Sequence, residues 1–264
     1  MSFGTSEWPD RTTEEMKAAA STLPEWAKKP LRHVRDVVSP LLYYGEGRFC
    51  PICGKSSRRF RTAGVVPRQG AQCVHCGALE RHRLFWLFLQ NRTNFFDARP
   101  KTMLHVAPEP CFESRFRRLL DGDYITADLA NPRAMVKMDI TNIPCADNSF
   151  DVIYCSHVLE HVPDDRKAIR EFYRVLRNGG WAILLVPIVS ERTIEDSSVV
   201  DPRDRLRIFG QEDHARSYGP DYVERLRDAG FKVTVTTISD LVTKEVAVRM
   251  GLTPDSGDIY YCTK

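Results

Sequence analysis

The sequence predicts an α/β protein: a mostly parallel sheet of seven strands with helices on both faces, preceded by a small four-cysteine module. Three observations carry that prediction. From Lys101 onward, short apolar runs alternate with longer helical patterns, the order of repeated β-α-β units. Most strand candidates are near-continuous apolar runs, as expected for strands buried on both faces. Ahead of them lie two Cys-x-x-Cys pairs in a segment of different composition.

The first 45 residues read as one or two short helices punctuated by Pro9, Pro24, Pro30 and Pro40, with Leu31, Val34, Val37 and Val38 at helical spacing. Residues 46–77 hold the first four cysteines, and Ala78 to Gln90 is a strongly apolar helix candidate ending in a polar Asn91-Arg92-Thr93-Asn94 stretch. In the α/β region, Met103 to Ala107 is the first strand, Phe112 to Leu120 an amphipathic helix, and Tyr124 to Ala127 the second strand. Residues 135–140 are expected as the third strand and Asp151 to Cys155 as the fourth. Arg166 to Leu176 is a helix stopped by Asn178-Gly179-Gly180, and Trp181 to Val186 is the fifth strand. The polar stretch Ser190 to Gly210 is long enough for a lid or substrate loop. Tyr222 to Ala229 is a helix, and Phe231 to Thr237 and Asp258 to Cys262 are two closing strands. The division expected is a helical segment over 1–45, a four-cysteine module with its helix over 46–92, and an α/β domain over 93–264.

The 264 residues fit one large domain or a medium one with an appended module. With 42% apolar and 28% charged residues, disordered, collagenous and coiled-coil classes are excluded. The apolar run Trp181 to Val189 contains Pro187 and is too short to span a bilayer, so no membrane partner is expected. The start, Met1 to Glu7, lacks a cationic, apolar secretory pattern, so a cytoplasmic location is the expectation. There, eight cysteines suggest metal or buried thiols before disulfides. The net charge of +3 is uneven. Residues 50–92 carry eight Lys and Arg against Glu80 alone, a net of +7, while the remainder is mildly acidic at −4.

Cys50-Pro51-Ile52-Cys53-Gly54 and Cys73-Val74-His75-Cys76-Gly77 are matched knuckles separated by 19 residues. Two residues between cysteines let both sulfurs reach one ion, and the following Gly lets the backbone turn so its amides face the thiolates. Cys50, Cys53, Cys73 and Cys76 are therefore the expected ligands of a closed structural zinc site. Iron is the alternative, since the knuckles locally resemble those of rubredoxin. The remaining cysteines, Cys111, Cys145, Cys155 and Cys262, show no pairing pattern. Just beyond the second knuckle, Glu80-Arg81-His82-Arg83 reads either as an anion-contacting or cofactor-facing edge or as a solvated helical turn.

From about residue 101 to the end, the order of several motifs resembles class I S-adenosylmethionine (SAM) methyltransferases of the type 11-like group, with an N-terminal zinc-ribbon-like module. The resemblance implies a Rossmann-like sheet and SAM as cofactor. It also implies that the first strand and turn cradle the methionyl end: here His105-Val106-Ala107-Pro108-Glu109-Pro110, with His105, Ala107, Pro108 and Glu109 as contacts. Where such enzymes usually show a Gly-x-Gly turn, this one has no glycine, and Glu109 is the group to meet the cationic amino end. By the same resemblance, Asp128 after the second strand accepts both ribose hydroxyls with Leu129 beside it. Asp139 and Ile140 contact adenine, and Thr141 to Asp151 matches the run before the fourth strand. Ser156 stands where that strand ends, near the transferring methyl.

His157, just past the strand tip, is a general-base candidate because neutral imidazole accepts a proton near pH 7. His161 lies four residues on, and either a second metal site with His157 or local packing accounts for it. His214, beside Asp213 in the polar run Gly210 to Gly219, is the other catalytic candidate, against a plain capped loop. The expected function is methyl transfer from SAM to a small-molecule, natural-product or saccharide acceptor. The fourth-strand segment lacks the Asn/Asp-Pro-Pro-aromatic signature of amino-directed nucleic-acid enzymes, and Cys145 is displaced from the position of a C5 nucleophile. RNA methylation through the basic module is a less favoured alternative, since only Phe60 offers base stacking among its basic residues. A non-methylating use of SAM, such as cyclisation, and a non-catalytic SAM-binding module are the others.

Overall fold

Strand residues 103–106, 124–127 and 150–156 are almost wholly buried, so they form the interior of a sheet. The computed structural model describes residues 38–64 and 66–264. The expected helices before residue 38 lie outside the described residues, and residues 38–42 are helical.

The four-cysteine module consists of two antiparallel hairpins. In the first, β1 (Arg48–Cys50) pairs with β2 (Lys55–Ser57); in the second, β3 (Arg61–Ala63) pairs with β4 (Arg68–Gln72). Helix α1 (Glu80–Arg92) follows, starting two residues later than the apolar pattern suggests and running two further. Its run Leu84 to Leu89 is buried on every side, as expected for a helix enclosed between other layers.

The α/β region then runs β5 (Met103–Val106), α2 (Pro110–Leu120), β6 (Tyr124–Asp128), β7 (Val136–Lys137), β8 (Phe150–Ser156), α3 (Asp165–Val175) and β9 (Leu176–Leu185). After it come β10 (Ile194–Glu195), α4 (Pro202–Phe209), β11 (Arg216–Ser217), α5 (Tyr222–Asp228), β12 (Lys232–Thr236), α6 (Ile238–Leu241), α7 (Lys244–Arg249) and β13 (Ile259–Thr263). Seven strands form one sheet in the order β12-β13-β9-β8-β5-β6-β7, parallel except for β13, which runs antiparallel to both neighbours. This is the Rossmann-like sheet expected. Between β8 and β6, strand β5 is the point where the order reverses, which opens a crevice above its C-terminal end.

Adjacent tyrosines in β13 show that both faces are covered. Tyr261 meets Phe88 of α1, while Tyr260, pointing the other way, meets Tyr222 of α5. On the first face, Phe85 of α1 stacks on Tyr154 with ring centroids 3.8 Å apart, and Phe112 and Phe116 of α2 pack edge-on against Phe85.

Several boundaries differ from the sequence pattern for local reasons. The third strand is only two residues, because Asp139 Oδ1 accepts from the Thr141 N–H and hydroxyl and turns the chain out of the ladder. Helix α3 begins at Asp165, capped by the Asp164 side chain bonded to the Lys167 N–H. The Asn178-Gly179-Gly180 segment does not stop a helix; it lies within β9, with Gly179 at φ 79°. The polar stretch 190–210 contains β10, paired with β11, and helix α4. Among the described residues no helix is long and apolar enough to cross a membrane.

Arg83 joins the module to the loop after α7. It is wholly buried and donates to the carbonyls of Ala71 (3.0 Å), Ala78 (2.8 Å), Met250 (2.6 Å) and Gly251 (2.9 Å), with its guanidinium 4.3 Å over the Phe60 ring. Replacing it with Met leaves these carbonyls unpaired, each costing about 1–3 kcal/mol when buried. Arg83→Met is expected to lower unfolding free energy by roughly 3 kcal/mol or more, and Arg83→Lys to recover little, since one ammonium cannot span four acceptors. Urea midpoints check this, and an unchanged midpoint for Arg83→Met would refute the clamp.

Candidate functional site

The four knuckle sulfurs converge. Cys50 and Cys76 Sγ are 3.6 Å apart, Cys53 and Cys73 Sγ 3.8 Å, and all four lie within 4.8 Å of one another. These gaps are far beyond a disulfide bond. Four sulfurs about 2.3 Å from a central ion in a tetrahedron would be separated by about 3.8 Å, so the donor set fits one divalent metal. The cysteines are reduced, and positive φ at Gly54 (67°) and Gly77 (74°) makes the turn each knuckle needs. The basic field around them is smaller than a residue count suggests: Arg83 is buried, and Arg68 is held by Glu80 through two 3.1 Å bonds.

The Glu80-Arg81-His82-Arg83 run is not a solvated turn. Glu80, His82 and Arg83 are all buried, and His82 reaches the end of β5. There Glu109, the residue before α2, places Oε2 2.8 Å from His105 Nε2 and Oε1 3.4 Å from His82 Nε2, with the Tyr154 hydroxyl at 3.5 Å. Burial alone would raise the Glu109 pKa. Hydrogen bonds from His105 and His82 outweigh it and hold the carboxyl well below its usual range, as an anion. Burial keeps His82 below its ordinary value and therefore neutral, consistent with its Nδ1 accepting the Leu79 N–H at 3.1 Å. His105 is fully buried, and its Nδ1 lies 2.7 Å from the Tyr124 hydroxyl. It therefore acts on the crevice through Glu109. Burial and then the Glu109 charge push the Tyr154 and Cys111 pKa values up, offset in part by the nearby Arg81 charge, and the Arg81 Nε has no hydrogen-bond partner. The sequence pattern raised this run as a possible cofactor edge, but only the packing of α1 brings its side chains to Glu109.

The glycine-free turn is made by Ala107, which takes φ 49° and donates its N–H to Ala127 O at 2.8 Å. Pro108 follows, and Pro110 takes the first turn of α2, where its missing N–H costs no bond. One strand over, Asp128 Oδ1 accepts from Ala130 and Asn131 N–H, both at 2.8 Å, which organises the loop and leaves Oδ2 free. Leu129 is largely exposed beside it. Asp139 is exposed and Ile140 buried, just past β7. Glu109, Asp128 and Asp139 thus lie along the same C-terminal edge of three neighbouring strands.

At the end of β8, Ser156 is buried with its hydroxyl unpartnered. His157 has φ 55°, a half-buried ring, and Nδ1 3.4 Å from Glu160 Oε1. Asp213 does not orient His214; its Oδ2 pairs with His161 Nδ1 at 3.1 Å, because consecutive side chains in the turn diverge. His214 is buried, with Nδ1 3.0 Å from Phe209 O and its ring edge-on to His161 at 4.7 Å.

Part of this edge falls within a segment that a known family model matches. Residues 117–184 match the model of the methyltransferase domain family. The match covers Asp128, Asp139, Ile140, Ser156 and His157, and leaves out the cysteine module. Among curated relatives, a demethylmenaquinone methyltransferase of Staphylococcus epidermidis is 41% identical over 64 residues, 24% of this chain and 26% of its own length. The methyltransferase GfsG of Streptomyces halstedii is 33% identical over 105 residues, 39% of this chain and 34% of its own. The aligned stretches thus span only about a quarter to a third of these relatives. Among solved structures, an S-adenosylmethionine dependent methyltransferase from Mesorhizobium loti is 14% identical, with 68% of this chain and 97% of that one covered and a TM-score of 0.44.

A cavity of about 560 Å³ is lined by Asp165, Glu195, Arg216 and Arg225 among others. Its charges answer one another. Glu195 accepts from Arg216 Nε at 3.0 Å and Arg225 Nη1 at 2.9 Å, and Arg225 Nη1 also reaches Asp165 at 3.0 Å. The hydrogen bond from Arg225 lowers the Glu195 pKa from 4.5 to about 2, against burial and with help from Arg216. A folded-state pKa below the unfolded one contributes stability above about pH 4.5 that is lost as pH falls toward 2. Melting temperatures across that window are expected to fall more steeply for wild type than for Glu195→Gln; parallel curves would refute the linkage.

Proposed function

We propose that this protein is a SAM-dependent methyltransferase acting on a small-molecule acceptor, with a zinc ion in the four-cysteine module. The observation that carries the reading is the row of carboxylates Glu109, Asp128 and Asp139 along one edge of β5, β6 and β7, above the crevice where the strand order reverses. The methyltransferase-domain match over residues 117–184 supports it.

When bound, SAM supplies an electrophilic methyl on a sulfonium that leaves readily, so alignment is the main demand on the chain. Glu109, anionic and fixed by His105 and His82, binds the ammonium of the methionyl end. Arg81 supplies the complementary charge for its carboxylate. The free oxygen of Asp128 and its partner accept from the ribose hydroxyls, Asp139 accepts from the exocyclic amine of adenine, and Leu129 and Ile140 provide apolar contact. Ser156 and His157 stand at the acceptor side of the same edge, and His157 is placed to receive a proton from an acceptor hydroxyl. The relative named for demethylmenaquinone, a small molecule, favours an acceptor of that class.

Calorimetry with SAM tests the assignment. Wild type is expected to bind, and Asp128→Ala to bind at least about tenfold more weakly, the loss of a charge-assisted hydrogen-bond pair. Circular dichroism on the variant controls for its loop-capping role. No binding to wild type, or equal binding to both proteins, would refute the reading.

Zinc is favoured because four thiolates leave no open position for chemistry and suit a structural ion. Metal analysis of purified protein is expected to find stoichiometric zinc that falls in Cys73→Ser, with a lower melting temperature. Stoichiometric iron, or a protein free of metal and equally stable, would overturn the assignment.

A further inference from the structure

The turn after β8 and the loop before β11 bring together three side chains that the proposed methyl transfer does not use. A carboxylate oxygen of Glu160 and one ring nitrogen each from His161 and His214 lie within 4.8 Å of one another. Glu160 is 2% exposed and His214 5%, and Glu160 Oε2 and His214 Nε2 are both buried without a hydrogen-bond partner. An unpaired buried polar group costs about 1–3 kcal/mol; with the His214 Nδ1–H facing the Phe209 carbonyl, Nε2 is an acceptor like Glu160 Oε2, and two acceptors in one small volume point to a shared missing cation.

The outward atoms of the cluster are already committed. His161 Nδ1 pairs with Asp213 at 3.1 Å, and His214 Nδ1 faces the Phe209 carbonyl at 3.0 Å. A carboxylate behind one imidazole and a backbone carbonyl behind the other is how ligating histidines are usually oriented, leaving each Nε2 for the metal. The backbone holds the two segments in register. Ala215 N–H donates to Glu160 O at 2.7 Å, and Arg216 donates to Leu159 O at 2.9 Å, Val162 O at 2.6 Å and Pro163 O at 2.7 Å.

We propose that Glu160, His161 and His214 form a second metal site, for a divalent first-row transition cation such as zinc or ferrous iron. Two imidazoles and one carboxylate are the donor set such ions take. Ligand atoms about 2.1 Å from an ion stand about 3.4 Å apart, so modest side-chain rotations close the site. It differs in kind from the cysteine site. Three protein ligands leave open positions, and His161 is half-buried beside an exposed Asp213, so water or an anionic oxygen of a small molecule completes the shell. His157, contacting Glu160 through its other oxygen, lies beside it. The inference does not depend on methyl transfer.

Cobalt(II) is the probe, added to full-length protein whose cysteine site is loaded with zinc and whose weaker sites have been cleared by dialysis against a mild chelator. Wild type is expected to take up a stoichiometric equivalent with weak visible d–d bands and no thiolate charge-transfer band. His214→Ala and Glu160→Gln are expected to abolish those bands while retaining zinc. His161→Gln, at a part-exposed position, is the second test and is expected to weaken cobalt binding at least about tenfold, since even outer-shell changes do that much. A folded wild type that shows no such bands at millimolar cobalt, or a His161→Gln variant that binds as wild type does, would overturn the proposal. SAM binding measured in parallel keeps the two readings separable, because it is expected to persist without cobalt.

Discussion

Arg83 is the constraint on which the arrangement rests. A guanidinium with no exposed surface is a severe liability unless each donor finds an acceptor, and here four carbonyls answer it: two from the cysteine module and two from the loop after α7. Among the described residues no carboxylate pairs with it directly. Its charge is offset by Glu80 and by the cysteine cluster, which favour the charged form against burial. Four thiolates around one divalent ion would leave that cluster negative, so a metal bound there and the buried arginine would compensate each other across the module.

With α1 fixed in this way, the helix becomes part of the α/β core. Phe85 lies flat on Tyr154, Trp86 packs with Phe112 and Phe116, and one residue before Arg83 the His82 ring faces Glu109. A module that reads in sequence as an appendage thereby supplies a wall of the crevice. The same packing explains how Glu109 stays ionised while mostly buried: two imidazoles and a tyrosine hydroxyl replace the water it loses.

The crevice turn shows how one backbone requirement is met by different chemistry. A tight turn after the first strand needs a left-handed residue, and glycine is the usual answer. Here Ala107 takes that conformation at φ 49°, a strained choice for a residue with a Cβ, and Pro110 pre-sets the first turn of the following helix. His157 adopts φ 55° at the tip of β8, the second strand bordering the crevice. Strain of this kind persists where surrounding structure over-determines the backbone, and both positions lie on the edge that carries the proposed chemistry.

The sequence by itself determined what depends on local pattern. Apolar runs between helical stretches specify the buried parallel strands, and the matched Cys-x-x-Cys-Gly knuckles specify four converging sulfurs, because both signals are complete within a few residues. Strand ends also place Glu109, Asp128 and Asp139 along one edge, since parallel strands in one sheet share a direction. Contacts between segments far apart in the chain were not legible. Nothing in the spacing of Arg83 and Gly251, of His82 and Glu109, or of His161 and Asp213 reveals that they meet. Only the tertiary structure decided that His105 bonds to Glu109, that Asp213 pairs with His161 and not with its neighbour His214, and that Glu160, His161 and His214 converge. The physical reason is that a pattern records which face of an element is apolar, whereas a site is set by which buried polar groups find one another once those faces have packed.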